Sequence, residues 1–320
     1  MGLLDSIIGA SMTHPLIVLL FLPGVLLALT ATYRVFFHPL AHIPGPVLPK
    51  ISSLWLYYHA YIGDEATVIH AAHAAYGPLV RVAPNEVDIS DADAIAPIYV
   101  TRGGFAKAPC YGNFDIDGHK TIFSTTDADY RAPRARAVAP LFATKCLRAS
   151  ENEAALSGCV ERLVSRMADE ARSGRPVNVL NLARSLAVDA VSTHLFQTNY
   201  NGTAEKGARL SVSAFVDAFV AVGRFFYLPA AVFAALDQAI AWLYPDERTS
   251  ASMEVVDRFV SHLVDTTPSD ALNFPGRLLG LGLERAEVKA QCKDLIFAGT
   301  DSTGMNLATI CRQLAMHPDK

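Results

Sequence analysis

The sequence predicts a mainly α-helical protein with a small β portion, set behind one N-terminal membrane helix. Three observations carry that expectation: an apolar run opens the chain, segments with helical periodicity fill most of the remainder, and one stretch alternates apolar and polar residues. At 320 residues the chain has room for one large domain or two ordinary ones. Its hydrophobic fraction of 51% and mean hydropathy of +0.25 are high for a body wholly in water. A membrane segment plus a large core accounts for both. A net charge of −4 and a pI near 6.2 argue against a nucleic-acid partner, which would call for a basic face. Five cysteines, at 110, 146, 159, 292 and 311, are odd in number and widely spaced. They form neither a disulfide framework nor a CxxC metal pair, so reduced thiols and no protein-ligated metal are expected.

From Pro15 to Phe37 the run PLIVLLFLPGVLLALTATYRVFF carries one charge, Arg34. About 20 apolar residues cross the hydrocarbon core, so residues 1–37 are expected to form an anchor. A cleaved signal peptide wants a basic leader, whereas Asp5 is the only charged side chain ahead of the run. Arg34 and Lys50 follow it, which places the body in the cytosol and the short N-terminus in the lumen. Residues 38–50, with prolines at 39, 44, 46 and 49, should be a stiff, extended hinge. The body then runs over 51–320.

Within the body, 64–76 reads as a helix stopped at Tyr76-Gly77-Pro78, and 79–90 as a hairpin turning at Pro84-Asn85. Residues 91–100 return to helix. The stretch 102–128 has little periodicity and should be a long loop, a length that is often functional. Helices are expected over 150–173, 181–196, 208–226, 230–244, 250–266 and 284–316. Asp217, Arg224, Pro229 and Asp237 interrupt the apolar strip 212–243, which is therefore two amphipathic helices rather than a second span.

The densest chemical signal is LIFAGTDSTGMNLATI, 295–310, in the last long helix. Val288, Cys292, Leu295, Gly299, Thr303, Leu307 and Ile310 recur on one helical face. A glycine inside a helix costs about 1 kcal/mol relative to alanine, so Gly299 and Gly304 need a reason. Either a bulky group lies against this face, or the helix opens locally and the Ser302 and Thr303 hydroxyls satisfy freed carbonyls. Further up the chain, Arg131, Arg134 and Arg136 offer planar forks suited to carboxylates on a helix starting near Asp129.

Ala298-Gly299-Thr300-Asp301-Ser302-Thr303 resembles the oxygen-activation motif of the cytochrome P-450 family, Ala/Gly-Gly-x-Asp/Glu-Thr-Thr. Other segments resemble the family in the same order. The apolar start with HPLAHIPGP looks like that of microsomal members. Tyr76 to Val87 looks like the first sheet of fungal biosynthetic members, and Thr126 to Phe142 like the helix whose arginine meets a haem propionate. Ala315 to Lys320 is similar to the turn after the oxygen helix.

The resemblance implies a haem cofactor, with Ala298 and Gly299 lining its distal face and Arg131 or Arg134 meeting a propionate. Asp301 would be the acid and Ser302 the alcohol that relay protons during oxygen activation, with Thr303 sharing that role because the family more often has threonine at 302. The loop 102–128 and helices 208–244 would line the substrate site, Phe105, Tyr111 and Phe114 being candidate contacts beside the blander reading that they only pack. A lipophilic small molecule as substrate, a membrane-bound NADPH reductase as electron donor and a place on the endoplasmic reticulum membrane, single-pass, with the body facing the cytosol, complete the implied picture.

The departures matter as much. The family's haem-ligand segment is Phe-x-x-Gly-x-Arg-x-Cys-x-Gly, and the only Cys-x-Gly here is Cys110-Tyr111-Gly112. Ala108, Ala106 and Gly103 stand where its arginine, glycine and phenylalanine should. No glutamate has an arginine three residues later, so the family's Glu-x-x-Arg motif is also missing. Ala135 occupies one register's arginine position. The expectation is an incomplete cytochrome P-450 fold, 51–320, that stops before the axial cysteine. A non-catalytic, membrane-anchored remnant or partner-binding protein is the alternative.

Overall fold

The computed structural model describes residues 15–174, 176–206, 210–243 and 247–319. Asp5, positions 208, 209 and 244 of two expected helices, and Lys320 lie outside the described residues. Its packing divides the chain into two units, one ending at Phe105 and one beginning at Ala106.

In the first unit, helix α1 (Pro15–Thr32) runs into a wider π turn, Tyr33–Phe37. Among the described residues no helix is long and apolar enough to cross a membrane, so the spanning helix expected over 15–37 is not found. The described α-helical stretch ends at Thr32 and the chain continues as the wider turn. Arg34, in the turn beyond, is tied to the body by donating to the Ile51 carbonyl at 2.6 Å.

The hinge is extended only around Pro44–Pro46 and then forms helix α2, Val47–Ile51. Proline did not prevent that helix. Pro46 is its N-cap and Pro49 falls in its first turn, where an amide has no helical acceptor to lose. What fixes the segment is Arg81, fully buried, whose guanidinium donates to the carbonyls of Arg34 (2.8 Å) and Pro84 (2.7 Å). Gly45 sits at φ +152°, and a Cβ there would lie 2.7 Å from the Arg81 carbonyl oxygen. Only glycine permits that approach.

Helices α3 (Leu54–Ile62) and α4 (Glu65–Tyr76) lead to the antiparallel pair β1 (Leu79–Ala83) and β2 (Glu86–Ile89), with Leu79 opposite Ile89. Val80, Val82 and Ala72 make a small core under Trp55 and Ile69. A short helix α5 (Ile95–Tyr99) follows. His73 joins α4 to the hairpin: Nε2 lies 2.7 Å from an Asp88 carboxylate oxygen and Nδ1 2.8 Å from the Gly77 carbonyl.

In the second unit the chain runs through a 3-10 turn, Pro109–Phe114, before helix α6, Ala128–Val138. The Asp127 carboxylate caps α6 by accepting from the amides of Asp129 (2.9 Å) and Tyr130 (3.2 Å). Pro133 therefore lies in the second turn, where it removes one intrahelical bond. Helices α7 (Thr144–Leu147), α8 (Ser150–Arg172), α9 (Val179–Val191), α10 (Ser211–Gly223), α11 (Ala230–Leu243) and α12 (Glu247–Thr266) come next. The six-residue α13 (Phe274–Leu279) was not foreseen, since it is too short to show a period. Helix α14 (Arg285–Met316) is the longest, at 32 residues. One apolar core joins these elements through Val188, Phe196, Phe215, Val260, Leu278 and Ile296. The turn at Asn201-Gly202-Thr203 is held by buried Asp189, which accepts from the Gly202 amide (2.6 Å) and the Thr203 hydroxyl (2.6 Å).

Both His73 nitrogens face acceptors, which suits the imidazolium. The Asp88 hydrogen bond, then the Gly77 carbonyl, raise its pKa above the ordinary 6.5. A raised pKa means that stability is fully present below the unfolded value and is lost as pH rises through the folded one. Amide-exchange protection of the 79–89 hairpin should therefore fall as pH is taken upward from about 6.5. His73→Phe should remove that pH dependence, and a hairpin whose protection is flat with pH in the unmodified protein would contradict the assignment.

Candidate functional site

The site is organised by α14, and each side of that helix has a different neighbour. Val288, Cys292 and Ile296 are buried in the core. Gly299 and Gly304 face α9: a Cβ at 299 would lie 2.6 Å from Val191 Cγ2, and one at 304 would lie 2.6 Å from Arg184 Cγ. The glycines are explained by the close approach of a neighbouring helix. The local opening considered from sequence does not occur, because α-helical structure runs unbroken through 285–316. The Ser302 hydroxyl donates to the Ala298 carbonyl within it at 3.2 Å. Ala298, Ser302 and Met305 are exposed on one open face, and Thr303 is exposed on the side that carries Gly299.

Asp301 is held from α9. Arg184, whose side chain is only 5% exposed, donates from Nη2 to Asp301 at 2.7 Å and from Nη1 to Asp217 on α10 at 2.7 Å. Its Nε is buried without a partner. The two carboxylates are wetter, at 28% for Asp301 and 61% for Asp217, so the buried guanidinium is neutralised at the edge of the core. Sequence reasoning named Asp301 and missed Arg184 and Asp217, which lie 117 and 84 positions away and carry no local signal.

A second row on α14 seats the loop 115–124. Gln291 Nε2 donates to the Lys120 carbonyl (3.1 Å), and its Oε1 accepts from the Ile122 amide (2.9 Å). Glu287 accepts from the Tyr130 hydroxyl (2.6 Å) and from Arg134 Nε (2.7 Å). Burial pushes the Glu287 carboxyl up, but the Arg134 and Tyr130 bonds outweigh it and hold it below the usual range. Burial pushes Asp294 up to about 6 against the opposing pull of Thr121 and Lys107. Lys107 in turn donates to the carbonyls of Ile122 and Phe123 and lies over the Tyr111 and Phe123 rings.

The two candidate arginines are in different situations. Arg134 is committed to Glu287, and its guanidinium stacks 3.5 Å above the Tyr130 ring. Arg131 is exposed, bonded through Nε to the Ile122 carbonyl at 3.2 Å. Of the aromatic candidates, Tyr111 and Phe114 cluster with Phe123 and with Phe226 just beyond α10. Asn113 donates to the carbonyls of Phe226 (2.8 Å) and Leu228 (2.9 Å), so the loop is joined to the α10–α11 turn. Phe105 ends the first unit, exposed, with its amide on the Ile98 carbonyl at 2.8 Å.

The residues present suit the distal side of a flat, carboxylate-bearing group such as haem. Ala298 and Ser302 leave an open face, and Arg131 keeps guanidinium nitrogens free of protein partners among the described residues. Cys292, the cysteine nearest in sequence to that face, is not a thiolate donor: it is wholly buried and burial drives its thiol far above the ordinary value.

A family model described as Cytochrome P450 matches residues 44–320. The cytochrome P450 monooxygenase mfmF of Annulohypoxylon moriforme is 35% identical over 313 residues, covering 92% of this chain and 64% of that protein. The cytochrome P450 monooxygenase tazI of Aspergillus terreus is 32% identical over 206 residues, 64% of this chain and 41% of that protein. A third, cpaH of Aspergillus oryzae, is 27% identical over 297 residues, 88% and 55% respectively. The chain thus spans less than two thirds of the length of these relatives.

The assignment of faces predicts unequal costs. Gly304→Ala drives a methyl into the Arg184 stem and should destabilise the protein by about 1–3 kcal/mol, as overpacking does. Ser302→Ala, on the open face, should stay within about 0.5 kcal/mol of the parent. Urea unfolding measures both, and equal costs would contradict the arrangement.

Proposed function

The chain belongs to the cytochrome P450 family, and from that premise we propose that it forms the distal wall of a haem-dependent monooxygenase site that oxidises a lipophilic small molecule. The observation that carries the proposal is the conjunction at 298–303: an open face at Ala298 and Ser302, with an acid, Asp301, steered by a buried arginine. Haem, when bound, supplies the reductive activation of dioxygen.

The chain's own residues divide the remaining tasks. Arg131 rather than Arg134 meets a propionate, because Arg134 is already neutralised by Glu287. Asp301 has one oxygen bound to Arg184, and its other oxygen, Oδ2, has no partner among the described residues. That second oxygen is the place where a proton from water is taken up and passed on. Ser302 donates its own proton to the Ala298 carbonyl, which leaves its oxygen as an acceptor toward the open side. Thr303, also exposed, is close enough in sequence to share the relay. The loop from 106 to 128 and helices α10 and α11 border the substrate space; Asn113 and the Tyr111–Phe114–Phe226 cluster support that placing.

A membrane-bound NADPH reductase is the proposed electron source, and the cytosolic face of the endoplasmic reticulum the proposed location. The exposed apolar side chains Phe21, Leu22, Leu27, Leu29, Phe36 and Phe37, with Arg34 and Lys50 following, support attachment through that segment. Microsomes washed at neutral pH should retain the protein, with its body open to added protease. Recovery of the protein wholly in the supernatant would rule the attachment out.

For the chemistry, Asp301→Asn keeps a partner for Arg184 but removes the titrating group. In a haem-loaded protein completed by the family's cysteine segment and supplied with reductase, it should lower turnover by roughly 10²–10⁴-fold while leaving substrate affinity within a few-fold. Product formed under labelled dioxygen should carry the label. Unchanged turnover removes Asp301 from the mechanism, and label arriving from water instead refutes the monooxygenase reading.

A further inference from the structure

We propose that the space between the loop 113–117 and helices α10, α11, α12 and α14 is a site for an amphiphilic cation, an ammonium group attached to an apolar or aromatic body, and that this is the substrate class of the enzyme. The last clause rests on the monooxygenase reading; the binding itself does not.

A cavity of about 470 Å³ opens there, within the range of small-molecule sites. Its apolar wall is aromatic, with Phe114 from the loop, Phe219 from α10 and Phe233 from α11. Its charge is one-sided. Asp115, Asp117, Asp237 and Asp257 line it, against a single cation, Lys293. That ammonium is already shared between Asp117 and Asp257, each at 2.5 Å, and cannot neutralise the rest. Asp115 receives only a neutral hydroxyl, from Ser124 at 2.6 Å. Asp237 has no partner among the described residues.

A second observation concerns Asp237 alone. A smaller hollow of about 100 Å³ lies between α10 and α11, lined by Ala221, Phe225, Leu236 and Ile240 and otherwise apolar except for Asp237. The two spaces share Val222, Phe233 and Asp237. Phe233 and Asp237 are four residues apart on one face of α11, so a ring and a carboxylate are presented side by side where the hollow meets the cavity. A cation there would find a carboxylate and an aromatic face together, and its apolar chain a largely apolar hollow beside them. An anionic ligand would meet repulsion from four carboxylates, and a neutral one would gain nothing from them.

The test uses three probes of one shape: 4-phenylbutyl-trimethylammonium, its neutral tert-butyl isostere, and 4-phenylbutyrate. The quaternary cation cannot ligate iron, so calorimetric titration of the haem-loaded protein reports this site and not the metal. The cation should bind about tenfold more tightly than the neutral isostere at low salt, and the carboxylate more weakly than either. Asp237→Asn, an exposed position, should reduce the preference to about twofold or less while neutral-probe affinity holds. Phe233→Leu should weaken the cation more than the isostere. Equal affinity of cation and isostere, absence of binding by any probe, or a preference that survives Asp237→Asn would each overturn the site and leave the oxygen chemistry untouched. Cation selectivity in a protein that fails the labelled-dioxygen test would leave the site standing and remove only its description as a substrate site.

Discussion

A helix of 32 residues crossing the interior of a unit has to satisfy a different neighbour on each of its sides, and α14 meets that constraint by sorting residue types around its axis. Branched and apolar side chains go to the core, glycines go to α9, and amide and carboxylate side chains go to the loop 115–124. Each assignment has a cost. Two interior glycines give up about 1 kcal/mol apiece of helix propensity. Their return is the close seating of α9, whose Arg184 then reaches both Asp217 and Asp301. Gln291, only 2% exposed, is tolerable in that position because both ends of its amide are bonded to the loop backbone. The side left over, at Ala298 and Ser302, is where the proposed chemistry belongs.

The same sorting sets the electrostatics. Two acids seven residues apart on α14, Glu287 and Asp294, are driven in opposite directions. Glu287 is buried, yet Arg134 and Tyr130 hold it below its ordinary pKa. Its contribution to stability is therefore present above the unfolded value and lost as pH falls through the folded one. Asp294, raised by burial from 3.8 to about 6, behaves in reverse: its cost appears as pH rises from 3.8 and is complete above about 6. Mild acid thus relieves one loop-facing carboxylate before it weakens the other.

Much of this was legible in the sequence. Periodicity located the long helices, alternation found the hairpin at 79–90, and the small-residue string at 298–303 falls within α14, the long helix it was expected to lie on. The glycines were flagged for a sound reason, but one sequence could not say which neighbour they serve. That neighbour, α9, begins more than a hundred positions earlier. The ion pairs of Arg184, Glu287 and Lys293 escaped notice because partners so far apart leave no spacing to read. Helix α13 was too short to register, and the hinge prolines were read as helix breakers although two of them sit at a helix start. The first segment shows the opposite error: an apolar run long enough on paper contains, among the described residues, no helix long and apolar enough to cross a membrane.

Functionally, α14 carries the steered acid and the open face on one stretch and, at Lys293, borders the aromatic, acidic cavity on another, with the loop 115–124 seated between. Gln291 is the tightest test of that joining, because it touches only backbone of the loop and takes no part in the proposed proton relay. Hydrogen exchange of Gln291→Met, read by mass spectrometry, measures it directly. Losing both amide bonds strands the Ile122 amide, while the Lys120 carbonyl keeps the Tyr130 hydroxyl, at a cost of about 1–3 kcal/mol. The account predicts that protection falls selectively in residues 115–138, with the 79–89 hairpin unchanged. Loss spread evenly over the chain, or no loss in 115–138, would contradict the claim that α14 holds the site together.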